Sequence, residues 1–390
     1  MQTSRERGIS SLERISPESV IEEYLTENSL NDQLIKDRLD PETRVSVVIP
    51  TYNETGVITR CLQALNEQSY RAFEVIVVDN GSIDGTVREI NDFREQANYP
   101  LYVVEESTPG VAVARKKGMD EVLRRVLERR NGEYHHILVV TDADTIPPKE
   151  WLEKITRGFN HHLIGGLAGT HEASKEIEEK IYETMGIRNY FNIIPSLIEL
   201  FEERGIGRIK MSGPNSAFTA TSYALGGGIK HEIDSNGNPK LNETNNLGDR
   251  IRQCGYRLVP LGCRVIKNRR RELYEILTNC KDSYFPEGFS SSGRFNVIRK
   301  DELELLNVAC RNVPKETWEN YRHKMIYKVI INFIIRPLTL GEIKRSDTQE
   351  IFTPEEIQFF LSNHSFLPND QYLPKVIGNF LFRLETMLSL

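Results

Sequence analysis

Long apolar runs are missing from this chain, and so are paired cysteines. No stretch approaches the roughly 18 consecutive apolar residues of a membrane-crossing helix. The opening residues, MQTSRERGISSLERIS, lack the apolar core of a signal peptide. The expected location is therefore cytoplasmic. The five cysteines (Cys61, Cys254, Cys263, Cys280, Cys310) form no Cys-x-x-Cys pair and are odd in number, so neither a disulfide framework nor a zinc site is expected. They read as reduced core residues. An excess of positive charge is missing too. Fifty Lys and Arg stand against 56 Asp and Glu, for a net charge of −6, and no nucleic-acid partner is expected. An anionic substrate would need a local basic cluster or a bound cation. The eight histidines have no metal-like spacing.

What is present is a strand–helix alternation. Residues 1–43 are polar, and SPESVIEEYLTE places Ser16 as a cap and Pro17 in the first turn of a short helical arm. From Arg44 the pattern changes. Val45-Ser46-Val47-Val48-Ile49-Pro50, Phe73 to Val78, Leu101 to Val104 and Ile137 to Val140 are short apolar runs that read as buried strands, with helical spacing between them. Such alternation implies an α/β fold with a mainly parallel sheet, covered by helices on both faces. Ligands of such sheets bind beyond the carboxyl ends of the strands, where polar clusters follow three of these runs. After about Asp301 the sequence reads as helical. The expected organisation is an arm over 1–43, a core domain over 44–295 and a helical region over 296–390.

Three of those clusters carry chemistry. In Asp142-Ala143-Asp144, alternate residues leave a strand on the same side, so two carboxylates can converge. Hard oxygen ligands suit Mg²⁺ or Mn²⁺ holding a diphosphate, and the same residues would also make a solvated strand-end turn. In Asp79-Asn80-Gly81-Ser82-Ile83-Asp84-Gly85-Thr86, carboxylate and amide groups can hydrogen-bond a base edge and ribose hydroxyls, or simply build a turn before a helix. Pro50-Thr51-Tyr52-Asn53-Glu54 could pack an aromatic ring on a base, or cap the next helix.

Together with Gly110, Ala114-Arg115 and Gly118, these residues resemble the family 2 glycosyltransferases of GT-A fold, a Rossmann-like mixed, mainly parallel sheet flanked by helices. The resemblance covers roughly residues 44–270. It implies a nucleotide-sugar donor, a UDP-sugar by family frequency, and a hydroxyl acceptor. Pro50, Tyr52 and Glu54 would line the nucleotide, with Asp79 on the base and Asp142 near the ribose. Arg115 would stand near the nucleotide or diphosphate. Asp144 would be the principal metal ligand, with Asp142 beside it, for Mn²⁺ or Mg²⁺. Ser212 to Phe218 and Gly226-Gly227-Gly228 resemble segments on the acceptor side.

The sequence departs from that family at three places. Lys116 stands where the family most often has Asn, adding charge near the donor or pointing to solvent. Leu247-Gly248 and Arg250 align with a segment whose catalytic Asp would fall at Thr244. Glu243 is the preferred base and Asp249 the alternative. A retaining mechanism, or an impaired relative acting as a binding partner, also fits. Where many members supply a metal-binding histidine after the strand expected over Arg257 to Ile266, this chain has Lys267-Asn268-Arg269-Arg270-Arg271. The three arginines could clamp phosphate or form a solvated turn. No Gln-x-x-Arg-Trp segment surrounds Trp151 or Trp318, which by analogy argues for a non-processive enzyme. Met325, Ile326, Val329, Ile330, Phe333 and Ile334 form a helical stripe flanked by Lys324, Lys328 and Arg336. It either packs on a core or makes a peripheral contact with an anionic membrane.

Overall fold

Strands β1 (Val45–Thr51) and β2 (Phe73–Asp79) are buried along their whole length, as strands rich in valine and isoleucine are when helices cover both faces of a sheet. The computed structural model of the protein describes residues 16–28, 34–129, 135–232, 242–278, 301–363 and 372–387. The other strands of the main sheet are β3 (Leu101–Glu105), β4 (Ile137–Val140), β6 (Ile164–Ala168), β7 (Ser216–Thr219) and β8 (Arg257–Pro260). A second, three-stranded sheet includes β5 (Thr145–Ile146), which pairs antiparallel with β9 (Val265–Lys267).

The seven strands run in the order β3-β2-β1-β4-β7-β6-β8. The pairs β1–β2, β2–β3, β1–β4 and β6–β8 are parallel, and β7 runs antiparallel to both its neighbours. The sheet is thus mixed and mainly parallel, as expected. Helix Val111–Glu128 lies against it because Gly118 permits close approach: a Cβ there would come within 2.5 Å of Val48 and 2.9 Å of Val78. The single strand expected over 257–266 is broken in two. Pro260 cannot donate to a ladder, and Gly262 turns the chain with φ +61°. The two halves serve different sheets.

The chain divides into two compact units. Among the described residues, one comprises those within 16–171 and 211–267, and the other those within 172–210, 268–278 and 301–387. Neither is continuous in sequence.

The amino-terminal arm belongs to the first unit. Its helix, Pro17–Glu27, is capped by Ser16, whose hydroxyl accepts from the Ser19 N–H at 3.4 Å. The helix buries Val20, Ile21, Tyr24 and Leu25. Tyr24 donates to Asp120 at 2.7 Å, and Tyr223 donates to the same oxygen at 3.2 Å. Lys116 also pairs with Asp120 and lies over the Tyr24 ring. Burial still pushes the Asp120 carboxyl above its ordinary value, against these partners. The unusual Lys116 thus serves the arm's anchorage.

In the second unit, Ile326, Ile330 and Ile334 are fully buried in a cluster with Phe201, Phe360 and Phe380, while Val329 and Phe333 pack at its edge. Most of the apolar stripe is therefore taken up by packing. The helix carrying it, Lys315–Ile330, passes through a π-helical turn over Ile331–Ile335 just before Pro337. A proline without an N–H disrupts the regular i→i−4 ladder at this point. Arg269, one of the three arginines, is buried here, pairs with Glu272 at 2.9 Å and lies over the Phe191 ring. It is neither a solvated residue nor one with its guanidinium left to phosphate alone.

Candidate active site

The parallel register brings the carboxyl ends of three strands level. Thr51 lies opposite Asp79, and Asp79 opposite Glu105. The loops that follow β1 and β2 then lock together. The Asn53 N–H donates to Ser82 Oγ at 2.9 Å, and the Ile83 N–H donates back to Asn53 Oδ1 at 2.9 Å. Asn53 adopts φ +53°, a left-handed conformation that asparagine tolerates. The Glu54 N–H donates to Thr86 Oγ1 at 2.8 Å. Burial raises Asp84, but hydrogen bonds from Thr86 and Thr55 outweigh it and hold the carboxyl below its usual value. Asn80 closes the edge, accepting from the Gly110 N–H at 2.7 Å and donating to the Glu106 and Thr108 carbonyls.

Within this frame Asp79 is buried. Its Oδ2 accepts from the Gly81 and Ser82 N–H groups at 3.2 and 3.1 Å. Its Oδ1 is buried without a partner, and so is the Thr51 hydroxyl. Among the donor residues expected from sequence, Glu54 is buried, Tyr52 half-buried, and Pro50 lies in β1 opposite Val78.

The two acids after β4 differ sharply. Asp142 has a cation on each oxygen: Arg115 on Oδ1 and Lys267, at 2.9 Å, on Oδ2. Asp144 is buried with Oδ1 lacking any partner, and the neighbouring Thr145 hydroxyl is likewise unpaired. Cys61, whose thiol faces the Asp142 carbonyl at 3.7 Å, is pushed well up by burial and then by the charges of Asp144 and Asp142. It is a neutral thiol beside an acid pair. Among the described residues no group of three His, Cys, Asp or Glu side chains could hold a metal. Asp144 keeps one buried carboxylate oxygen without a hydrogen-bond partner, which fits an ion held on a single protein carboxylate. Asp142, expected as a second ligand, is engaged instead in two ion pairs.

Arg115 is the hub of the site. Its guanidinium also pairs with Glu243, which Thr244 contacts at 3.3 Å through its hydroxyl. The preferred base and the first acid of Asp142-Ala143-Asp144 are thus joined through one buried arginine. Gly213 makes this possible, since a Cβ there would meet the guanidinium at 2.7 Å. Asp249, the alternative base, lies six residues further along helix Glu243–Gln253, about 120° around the helix from Glu243. It pairs with Arg252 at 2.8 Å. Arg250 instead binds the Gly226 carbonyl at 2.6 Å and the Gly228 carbonyl, stapling the glycine turn. Sequence reasoning singled out Arg115 and Glu243 separately but missed their pairing, the unpaired Thr51 and Thr145 hydroxyls, and the role of Lys267.

Comparison with known proteins bears on this geometry. Residues 46–219 match the model of glycosyl transferase family 2. Glycosyltransferase AglE of Haloferax volcanii is 35% identical over 127 residues, 31% of this chain and 38% of that one. Glycosyltransferase GlyG of Streptococcus pneumoniae serotype 4 is 28% identical over 138 residues, 35% of this chain and 42% of that one. The chain thus spans about two fifths of the length of these relatives. Among solved structures, a mannosyltransferase from Pyrobaculum calidifontis, in complex with GDP-Man and Mn²⁺, aligns over 97% of this chain and 99% of that one at 17% identity, with a TM-score of 0.42.

Proposed function

From a chain whose residues 46–219 match the model of glycosyl transferase family 2 and whose main sheet is mixed and mainly parallel, we propose a non-processive enzyme that moves a sugar from a nucleotide-diphosphate sugar to a hydroxyl acceptor. The observation that carries this reading is the row of unpaired buried oxygens at the carboxyl edge: Thr51, Asp79, Asp144 and Thr145. A buried polar atom left without a partner costs about 1–3 kcal/mol. Four such atoms gathered where α/β sheets bind ligands are groups that a ligand would satisfy.

In this reading Asp79 accepts from an N–H on the base edge, and Pro50, Tyr52 and Glu54 line the nucleotide. A divalent ion, Mn²⁺ or Mg²⁺, would be held on the protein side by Asp144 and would supply charge neutralisation at the diphosphate. Arg115 orients Asp142 and faces the leaving group. Fixed donors aimed at developing charge lower the barrier without reorganising during the reaction. Glu243 is the proposed base. Proton removal from the acceptor hydroxyl needs a carboxylate within hydrogen-bond reach, so Arg115 must first release Glu243. We assign the chemistry to the 44–295 region, a UDP-sugar as the favoured donor, and the cytoplasm as its place of action.

Thermal-shift screening of nucleotide sugars with Mn²⁺ tests the donor reading, because a ligand of the folded state raises its stability. No shift with any UDP- or GDP-sugar would refute it. The pairing of Glu243 with Arg115, together with Thr244 at the expected base position, favours one second reading: a donor-binding relative without turnover. Measurable sugar transfer or donor hydrolysis would exclude that.

A further inference from the structure

The amino-terminal arm lies outside residues 46–219, and the chemistry proposed above gives it no task. Yet it closes a circuit of contacts that ends at Glu243. Helix Pro17–Glu27 carries Tyr24, whose ring meets the Tyr223 ring edge-on, with centroids 5.9 Å apart. Both hydroxyls donate to the same oxygen of Asp120, in helix Val111–Glu128. The Tyr223 hydroxyl also accepts from the Ile229 N–H at 3.3 Å, directly after the glycine turn. Gly228, in that turn, leaves room for the arm: a Cβ there would come within 2.1 Å of the Tyr24 hydroxyl oxygen.

The glycine turn carries this grip to the next helix. A Cβ on Gly226 would meet Leu247 at 2.8 Å and Ile251 at 2.9 Å, so helix Glu243–Gln253 packs directly on the turn. Arg250 binds the Gly226 and Gly228 carbonyls from the same helix. Glu243, Leu247 and Arg250 follow the spacing i, i+4, i+7 and share one helical face. Glu243 pairs with Arg115, which stands on the same helix as Asp120. Two helices are therefore tied twice: once directly, by Arg115 and Glu243, and once through the arm tyrosine and the glycine turn. Rigid helices transmit a shift at one tie to the other. At a reacting group, a displacement of about 1 Å can cost about 10²-fold in rate.

We propose that Tyr24 is a positioning residue for Glu243: by clamping the glycine turn against Asp120 it sets how Glu243 meets Arg115, and so how readily Glu243 takes a proton. The catalytic part of this proposal rests on the reading of Glu243 as the base.

The test compares the full chain as wild type, Tyr24→Phe, Glu243→Gln and the double variant. Tyr24→Phe keeps the aromatic packing and removes only the hydroxyl. In urea denaturation, the midpoint shift of the double variant should differ from the sum of the single shifts, as for energetically coupled residues. Release of nucleotide from UDP-glucose, UDP-N-acetylglucosamine and GDP-mannose in Mn²⁺, with water as acceptor, gives the second readout. Tyr24→Phe should lower kcat about tenfold, part of what a general base contributes, at unchanged donor KM. In the Glu243→Gln background it should lower kcat no further, whereas a general loosening of the fold would slow both backgrounds alike. Additive midpoint shifts, or a Tyr24→Phe effect of equal size in both backgrounds, would overturn the proposal and leave Glu243 standing as the base. Glu243→Gln as fast as the wild type, or a wild type that releases no nucleotide, would overturn the base reading. Non-additive midpoint shifts would then still support Tyr24 as the residue that holds Glu243 in place, and additive shifts would overturn both.

Discussion

The two ends of the same parallel strands treat their buried carboxylates in opposite ways. At the amino end, Glu74 is buried in β2 and accepts from Ser46 at 2.7 Å and from Arg125 at 2.6 Å on one oxygen. Ser46 in turn meets His136 Nε2 at 2.8 Å. At the carboxyl end, Asp79 and Asp144 are also buried, but each keeps an oxygen with no partner. Charge at the first end is neutralised within the protein. At the second it is left for something else to complete. Burial alone therefore does not distinguish these acids, whereas an oxygen left without a partner does.

The largest expected effect breaks the comparison from the amino end. Glu74→Gln strands the Arg125 guanidinium, which also donates to the Asp37 carbonyl, in a buried setting. Removing one partner of a buried pair costs about 3–5 kcal/mol, which urea denaturation would read. Diphosphate affinity of the folded fraction should not change. At the carboxyl end, Asp144→Ala should reverse this pattern. Metal-dependent donor hydrolysis should fall about 10²–10³-fold, the range for losing one transition-state electrostatic contact. Stability should hold or rise, because a buried carboxylate oxygen with no partner disappears. A large stability loss without an activity loss would make Asp144 another Glu74.

The amino end also predicts a pH dependence. Burial first, then the nearby charges of Arg129, Arg125 and Arg44, push the His136 imidazole down to about 3. Its unfolded value is about 6.5. The folded value is depressed, so the unfolded state takes up the proton first. The stability this group contributes is full above pH 6.5 and is lost as pH falls toward 3. At pH 5 the loss is about 2 kcal/mol. Denaturation of the wild type and of His136→Gln at pH 7 and pH 5 should show a shallower fall for the variant. Equal falls would mean that His136 is not the group responsible.

Much of this could be read before any coordinates. The strands β1 to β4 are mostly apolar runs, and Asp79, Arg115, Asp142 and Asp144 follow from the motifs at their ends. The rest depended on contacts that no local pattern encodes. β6 reads Ile-Gly-Gly-Leu-Ala, whose glycines hide a strand; Gly166, for one, gives way to the side chain of Leu258 in the neighbouring strand. Lys267 meets Asp142 from 125 residues away. Lys116 looked like a donor-site charge, but its partner Asp120, one turn on, also anchors a tyrosine from the arm. Motif spacing locates groups along the chain, and only the pairing shows which charges are already neutralised.

The finest distinction concerns Asp79 itself. Asp79→Asn keeps a carbonyl oxygen to accept from the Gly81 and Ser82 N–H groups, so the turn and the fold should persist. At the open position it replaces an acceptor with an NH₂ donor. A base presenting an N–H would then face a donor, and nucleoside affinity should fall about tenfold, the cost of one lost hydrogen bond plus an unmatched group. The contribution of the phosphates should be untouched, so the affinity ratio of diphosphate to nucleoside should stay constant. Calorimetry with uridine and UDP would measure both. If Asp79→Asn bound uridine as tightly as the wild type, the open oxygen of Asp79 would have no part in base recognition. The contrast between the two ends of the sheet would then rest on Asp144 alone.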